Sequence, residues 1–198
     1  MHHRLRRFGP IVFVILALVP LTAAVSRQNA EAFDKKVVRI RALATSPTAS
    51  ARRTPVSQDE VNSWFTYRSQ ALLPGGVTQP QITILGAGRV TATAVVDLDA
   101  VAKRKATGSL LDPWSLLGGR VPLNITGILH TKGGVGRFEL QRADISGVPV
   151  PVSIVQELVS YYSKTEANPD GVRLNDTFNL PAKIQQIDVG QGSAVVVQ

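Results

Sequence analysis

The 198-residue chain contains no cysteine, a single methionine and three histidines, and only 6% of it is aromatic. The missing cysteine excludes a disulfide framework, a thiolate metal site and lipidation at a cysteine behind a signal sequence. His2 and His3 stand at the extreme N-terminus, so His130 is alone in the rest of the chain. No imidazole pair is therefore on hand for zinc or iron. There is no Gly-x-Ser-x-Gly elbow and no Ser-x-x-Lys nucleophile. Gly86-Ala87-Gly88 lacks the third glycine of a dinucleotide loop, with Thr91 at that place, and reads as a hairpin turn. Asp97 and Asp99 have only Asp112 near them in sequence and read as solvated carboxylates rather than as a metal or acid–base pair. These absences lead to the expectation of a non-catalytic protein with no cofactor and no metal.

Acidic residues are scarce where basic ones are dense. The formal net charge is +8. Residues 1–56 carry ten Lys/Arg against Glu31 and Asp34, which is the entire excess; residues 57–198 carry twelve of each sign. A nucleic-acid binder needs its basic face on the folded domain, where phosphates are met. A neutral domain behind a basic leader does not provide one, so no nucleic-acid partner is expected. The leader (Arg27, Lys35, Lys36, Arg39, Arg41, Arg52, Arg53) reads either as a tether beside an anionic membrane surface or as a solvated linker.

Arg4, Arg6 and Arg7 precede an apolar run from Phe8 to Val19, and Thr22, Ala23 and Ala24 follow it. That order is a secretory signal. Interrupted by Gly9, Pro10 and Pro20, the run is marginal for a span, which needs about 20 apolar residues. Residues 1–26 are thus expected to be a cleaved signal peptide or an N-terminal anchor. With the cations before the apolar run, everything after it is expected to be exported to the periplasm or cell envelope. Residues 27–56 are expected to be a basic, partly disordered linker. Within it Ala30–Leu43 has the pattern of a short amphipathic helix, and Ala44–Pro55 is too small, polar and proline-punctuated to bury a core.

Residues 57–198 are expected to form one domain, large enough to bury about two-thirds of its unfolded surface. Ser57-Gln58-Asp59-Glu60 is a capping box flanked by Val56 and Val61 as a hydrophobic staple. The helix it opens is predicted to run to about Leu72, ending at Pro74-Gly75-Gly76. Three hairpins follow, turning at Gly86-Ala87-Gly88, Lys132-Gly133-Gly134 and Gly190-Gln191-Gly192. A second helix is predicted over Val152–Tyr162, and a short apolar stretch lies at Leu110–Leu117. Strands joined by tight turns imply antiparallel pairing. The expected class is α+β: two helices packed on a curved antiparallel β-sheet.

Several of these segments carry a resemblance. Ser57–Asn62 with Trp64 and Phe65, Leu73-Pro74-Gly75-Gly76-Val77, Val95–Asp99, Val148–Pro151 and Phe178-Asn179-Leu180-Pro181 follow one another in an order similar to a known family. The chain resembles the small tubular lipid-binding (TULIP-like) domains of bacterial envelope proteins, including LmeA-like phospholipid-binding proteins. The resemblance implies an apolar space between helices and sheet that takes acyl chains. On this reading a groove is lined by Val61, Trp64, Phe65 and Leu72 of the first helix and by Ile154, Val155, Leu158, Val159 and Tyr162 of the second. Arg68, at the edge of the first stripe, is placed to hold a phospholipid phosphate, or else simply packs its stem and keeps its head in water. The same apolar residues equally fit an ordinary closed core. The alternative function is a non-catalytic envelope module that binds a protein partner through a sheet edge or the basic leader.

Overall fold

The computed structural model describes residues 25–45, 51–105, 118–166 and 168–198. Residues 1–24 of the expected signal or anchor (1–26) and the apolar stretch at Leu110–Leu117 lie outside them. In the described residues the elements run α1 (Arg27–Thr45), β1 (Arg53–Ser57), α2 (Gln58–Tyr67), β2 (Val77–Gly86), β3 (Arg89–Asp97) and α3 (Asp99–Lys105). They continue with β4 (Arg120–Lys132), β5 (Val135–Ile145), β6 (Val148–Pro149), α4 (Val152–Tyr162), β7 (Thr177–Asn179), β8 (Gln186–Val189) and β9 (Ser193–Val197). The class is α+β, with four helices rather than two among the described residues.

All strand pairing is antiparallel, in two sheets. The larger follows the order β2-β3-β4-β5-β6, with β7 also paired to β5; the smaller is β1-β9-β8. The three hairpins of the larger sheet turn on residues with positive φ, Ala87-Gly88, Gly133-Gly134 and Ser146-Gly147, the backbone that two-residue turns need to match strand twist. In register, Ile82, Ala92 and Ile125 lie beside one another on one face, while Thr83, Thr91 and Thr126 share the other. The first face is apolar and the second polar, as expected of a sheet covered on one side. The smaller sheet abuts the hairpin ends of the larger: Gly192 N–H donates to the Ile84 carbonyl at 2.8 Å, and Ile187 N–H to Thr131 Oγ1 at 2.9 Å.

The capping box is present in full. Ser57 Oγ accepts from Glu60 N–H at 3.2 Å, and the Glu60 carboxylate accepts from Ser57 N–H at 2.9 Å. The helix it starts ends at Tyr67, short of the expected Leu72, and a separate 3-10 turn covers Gln70–Leu72. Ser69 explains the break, because its buried hydroxyl donates to the Phe65 carbonyl at 2.9 Å and competes with the helix ladder.

The region expected to be a linker is ordered at both of its ends. α1 docks along α2: Lys36 Nζ contacts both Glu60 carboxylate oxygens at 2.6 and 2.7 Å, Trp64 Nε1 donates to Asp34 at 2.8 Å, and Ser26 N–H donates to Ser63 Oγ at 3.0 Å. β1 pairs with β9 from Arg53↔Val197 to Ser57↔Ser193. The boundary expected at residue 56 therefore falls within a strand. The partner of β1 lies at the far end of the sequence, and the composition of Arg53–Ser57 gives no sign of it.

Candidate functional site

Two apolar regions lie on the same face of the larger sheet. At one end α3 and α4 cover the ends of β3, β4 and β5. Ile154 and Leu158 are buried there with Val96, Leu98, Val101, Leu123 and Ile145, and Tyr162 packs at the margin. Val155 is buried beside Ala143 and Leu174, with Val159 against them. Val155 is 0% and Leu158 1% exposed, so this end is a filled core. The Tyr162 hydroxyl donates to the Asp97 carbonyl. Burial first, then the Asp97 and Tyr161 charges, push its phenol above the usual range.

The other end is open. A cavity of about 610 Å³ lies between α1 and the sheets. Phe33, Val37 and Ile40 line it from α1, and Val61 from α2. Ile82, Ile84, Val90 and Leu129 form its floor on the larger sheet, and Val56, Ile187, Val189, Ala194 and Val196 its wall on the smaller. Every lining residue is apolar except Arg41, which is exposed and so stands at the rim. Most of these valines and isoleucines are only half-buried, because the cavity leaves one side of each without protein neighbours. Between the two ends the same sheet face carries small side chains, with Ala92 exposed and Ala94 half-buried.

The expected groove residues are thus divided. Val61 alone of them lines the cavity. Ile154, Val155 and Leu158 sit in the filled core, and Val159 and Tyr162 pack at its edges. Trp64 turns toward α1, edge-to-face on Phe33 with ring centroids 5.8 Å apart. Phe65 stacks edge-to-face on Trp64 and borders a separate recess beside β2. Leu72, beyond the end of the helix, is 71% exposed. Arg68 is engaged by Asp34 at 3.2 Å and Glu31 at 3.9 Å, so its charge is already met within the protein. The groove expected between facing stripes of α2 and α4 is replaced by a cavity under α1, and the cation at its rim is Arg41 rather than Arg68.

Gln58 and Asn62 have a role that their sequence positions hide. Asn62 accepts from Ile82 N–H at 2.8 Å and donates to the Ile82 carbonyl at 2.9 Å, and Gln58 accepts from Ile84 N–H at 2.8 Å. Two amides four residues apart on α2 thus occupy the outward hydrogen-bonding groups of edge strand β2, as a neighbouring strand would. The spacing i, i+4 of two amides ahead of an edge strand is the only sequence signal for this. His130 lies 3.0 Å from Glu139 on the exposed surface. Asp99 Oδ1 accepts from Gly119 N–H at 2.6 Å and Asp97 Oδ1 from Asp99 N–H at 3.1 Å, so both carboxylates serve the backbone around the start of α3. No group of three or more potential metal-ligating side chains occurs among the described residues, and no described helix is long and apolar enough to cross a membrane. No protein-family model matches the chain, and no curated protein sequence matches it.

Proposed function

We propose that this protein is an exported, non-catalytic lipid-binding protein of the cell envelope that holds acyl chains in the cavity beneath α1. The carrying observation is the cavity itself: about 610 Å³ walled by aliphatic and aromatic carbon from α1, α2 and both sheets, with one cation at the rim. That volume lies within the roughly 300–1,000 Å³ of ordinary ligand pockets. Burying an acyl chain in it gains about 0.8 kcal/mol per methylene. The outer surface of α1 supports a membrane-side position. Lys35 and Arg39 are exposed there with Val38, and no acidic residue occurs in the sequence between Asp34 and Asp59. An anionic bilayer attracts such a segment at about 1 kcal/mol per cation near the surface.

The rival reading is a protein-interaction module that binds through a sheet edge or the basic leader; the amide cover speaks against the β2 edge for that role, because the outward groups of Ile82 and the Ile84 N–H are already paired. The test is organic extraction and mass spectrometry of the full chain purified without detergent, together with uptake of a fluorescent phospholipid or fatty acid. We expect lipid in the extract and saturable uptake. No lipid and no uptake would leave the cavity without this function and favour a protein-interaction module.

A further inference from the structure

The proposed lipid-binding role leaves open which amphiphile the cavity takes, and its volume and rim address that. We propose that the cavity takes a single acyl chain whose anionic head, a carboxylate or a phosphate, is met by the Arg41 guanidinium. This rests on the lipid-binding reading and narrows it. Size comes first. A methylene occupies about the volume of a water molecule, roughly 30 Å³, so a chain of about sixteen carbons needs roughly 480 Å³ and two such chains roughly 960 Å³. The cavity of about 610 Å³ matches one such chain more closely than two.

Charge decides the head. Among the described residues Arg41 is the sole polar residue of the lining, and it is exposed at the rim. Among the described residues it forms no ion pair, whereas Lys36 is engaged by Glu60, Arg68 by Asp34, and Arg53 by Asp188 at 2.8 Å; Lys35 and Arg39, also exposed on α1, do not line the cavity. An uncommitted guanidinium at the mouth of an apolar slot fits an anion bidentately, at the end of a chain that the slot has already removed from water. No carboxylate lines the cavity to oppose it.

The experiment titrates the full chain with four probes and reads affinity and stoichiometry by displacement of a fluorescent fatty acid. The probes are palmitate, palmitoyl lysophosphatidic acid, the neutral alcohol hexadecanol and dipalmitoyl phosphatidylglycerol. We expect one equivalent of each single-chain anion, binding about tenfold tighter than hexadecanol, and little uptake of the two-chain lipid. The palmitate and lysophosphatidic acid arms tell a carboxylate ligand from a phosphate one. Arg41→Gln is expected to reduce affinity for both anions about tenfold and to leave hexadecanol unchanged. Arg41→Lys is expected to restore part of the loss, and Arg142→Gln, on the polar sheet face, to change nothing. Equal affinity for alcohol and acid, an Arg41→Gln effect of the same size on both, or uptake of the two-chain lipid at parity would overturn this proposal while leaving lipid binding intact. Failure of every probe, hexadecanol included, would overturn the lipid-binding reading as well.

Discussion

The apolar face of the larger sheet meets its helices in two different ways. Under α4 the side chains of helix and strands interdigitate, and Ile154, Val155 and Leu158 are excluded from water. Under α1 they do not meet: Phe33 and Val37 face Ile82, Val90 and Leu129 across a cavity. The two helices differ in what they meet on the sheet. α4 buries Ile154, Val155 and Leu158 and is tied in addition by Gln156, which donates to the Val172 carbonyl and accepts from Leu174 N–H, and by the Tyr162 hydroxyl on the Asp97 carbonyl. α1 is held on one flank by a polar seam to α2, in which Lys36, Asp34 and Ser26 pair with Glu60, Trp64 and Ser63. Near its C-terminal end Ile40 packs on Leu180 and Ile184, and the Ile40 carbonyl accepts from Gln198 at 2.9 Å. These contacts fix α1 at its flank and its end, and the cavity lies beneath it.

The comparison breaks most readily at the filled end. Leu158→Ala removes a side chain that is 1% exposed in a close-packed cluster, and Leu→Ala changes of this kind cost about 2–5 kcal/mol. Urea unfolding should show a loss of about 3 kcal/mol, with amphiphile uptake by the folded protein retained. A loss below 1 kcal/mol would mean that the α4 end is as loosely packed as the α1 end.

Tyr162→Phe sharpens the same region with a smaller effect. The substitution deletes the hydroxyl that donates to the Asp97 carbonyl, a bond worth about 1 kcal/mol. Gly76, with φ of +92°, lies against this ring, and a side chain there would crowd it. Burial and the Asp97 charge hold the phenol above its usual range. A group whose folded value is raised contributes stability that is complete below its unfolded value, about 10 for tyrosine, and is lost as pH climbs through the folded value. The stability gap between the wild-type protein and Tyr162→Phe should therefore be constant at neutral pH and narrow above about pH 10. A gap that widened with alkali would contradict the assigned hydrogen bond.

Much of the scaffold is legible in the sequence because local chemistry specifies it. The glycine turns locate the β2–β3 and β4–β5 hairpins of the larger sheet, Pro151 and the apolar stripe locate α4 over Val152–Tyr162, and Ser57 with Glu60 marks the start of α2. Three features resist such reading, each for a physical reason. β1 is a strand only because β9 lies alongside, and Arg-Thr-Pro-Val-Ser has no alternating pattern of its own. α1 docks through individual pairs such as Lys36–Glu60, which periodicity does not encode. The cavity is a failure of packing: Val61 and Leu158 have the same apolar character in the sequence, yet one faces a void and the other a filled core. A stripe at helical spacing predicts which side faces inward, and not whether anything fills the space opposite.

The smallest expected change in stability tests the open end most directly. Ala194 lies on β9, paired with Val56 and Val189, and its side chain faces the cavity. Ala194→Leu adds three carbon atoms. In a packed core that change forces side chains off their rotamers and costs about 1–3 kcal/mol. In a void the added carbons enter free space and are partly removed from water, a gain of up to about 0.8 kcal/mol each, offset by the ordering of a longer side chain. The stability of Ala194→Leu should therefore lie within about 0.5 kcal/mol of wild type by urea unfolding. Uptake of a fluorescent fatty acid should fall severalfold, since the leucine occupies space the chain needs. The same replacement at Ala143, buried in the filled cluster with Val155 and Leu174, should destabilise the protein by the full overpacking cost and provides the matched control. Equal destabilisation at both positions would mean that the gap under α1 is closed in solution, and the contrast between the two ends of the sheet would go with it.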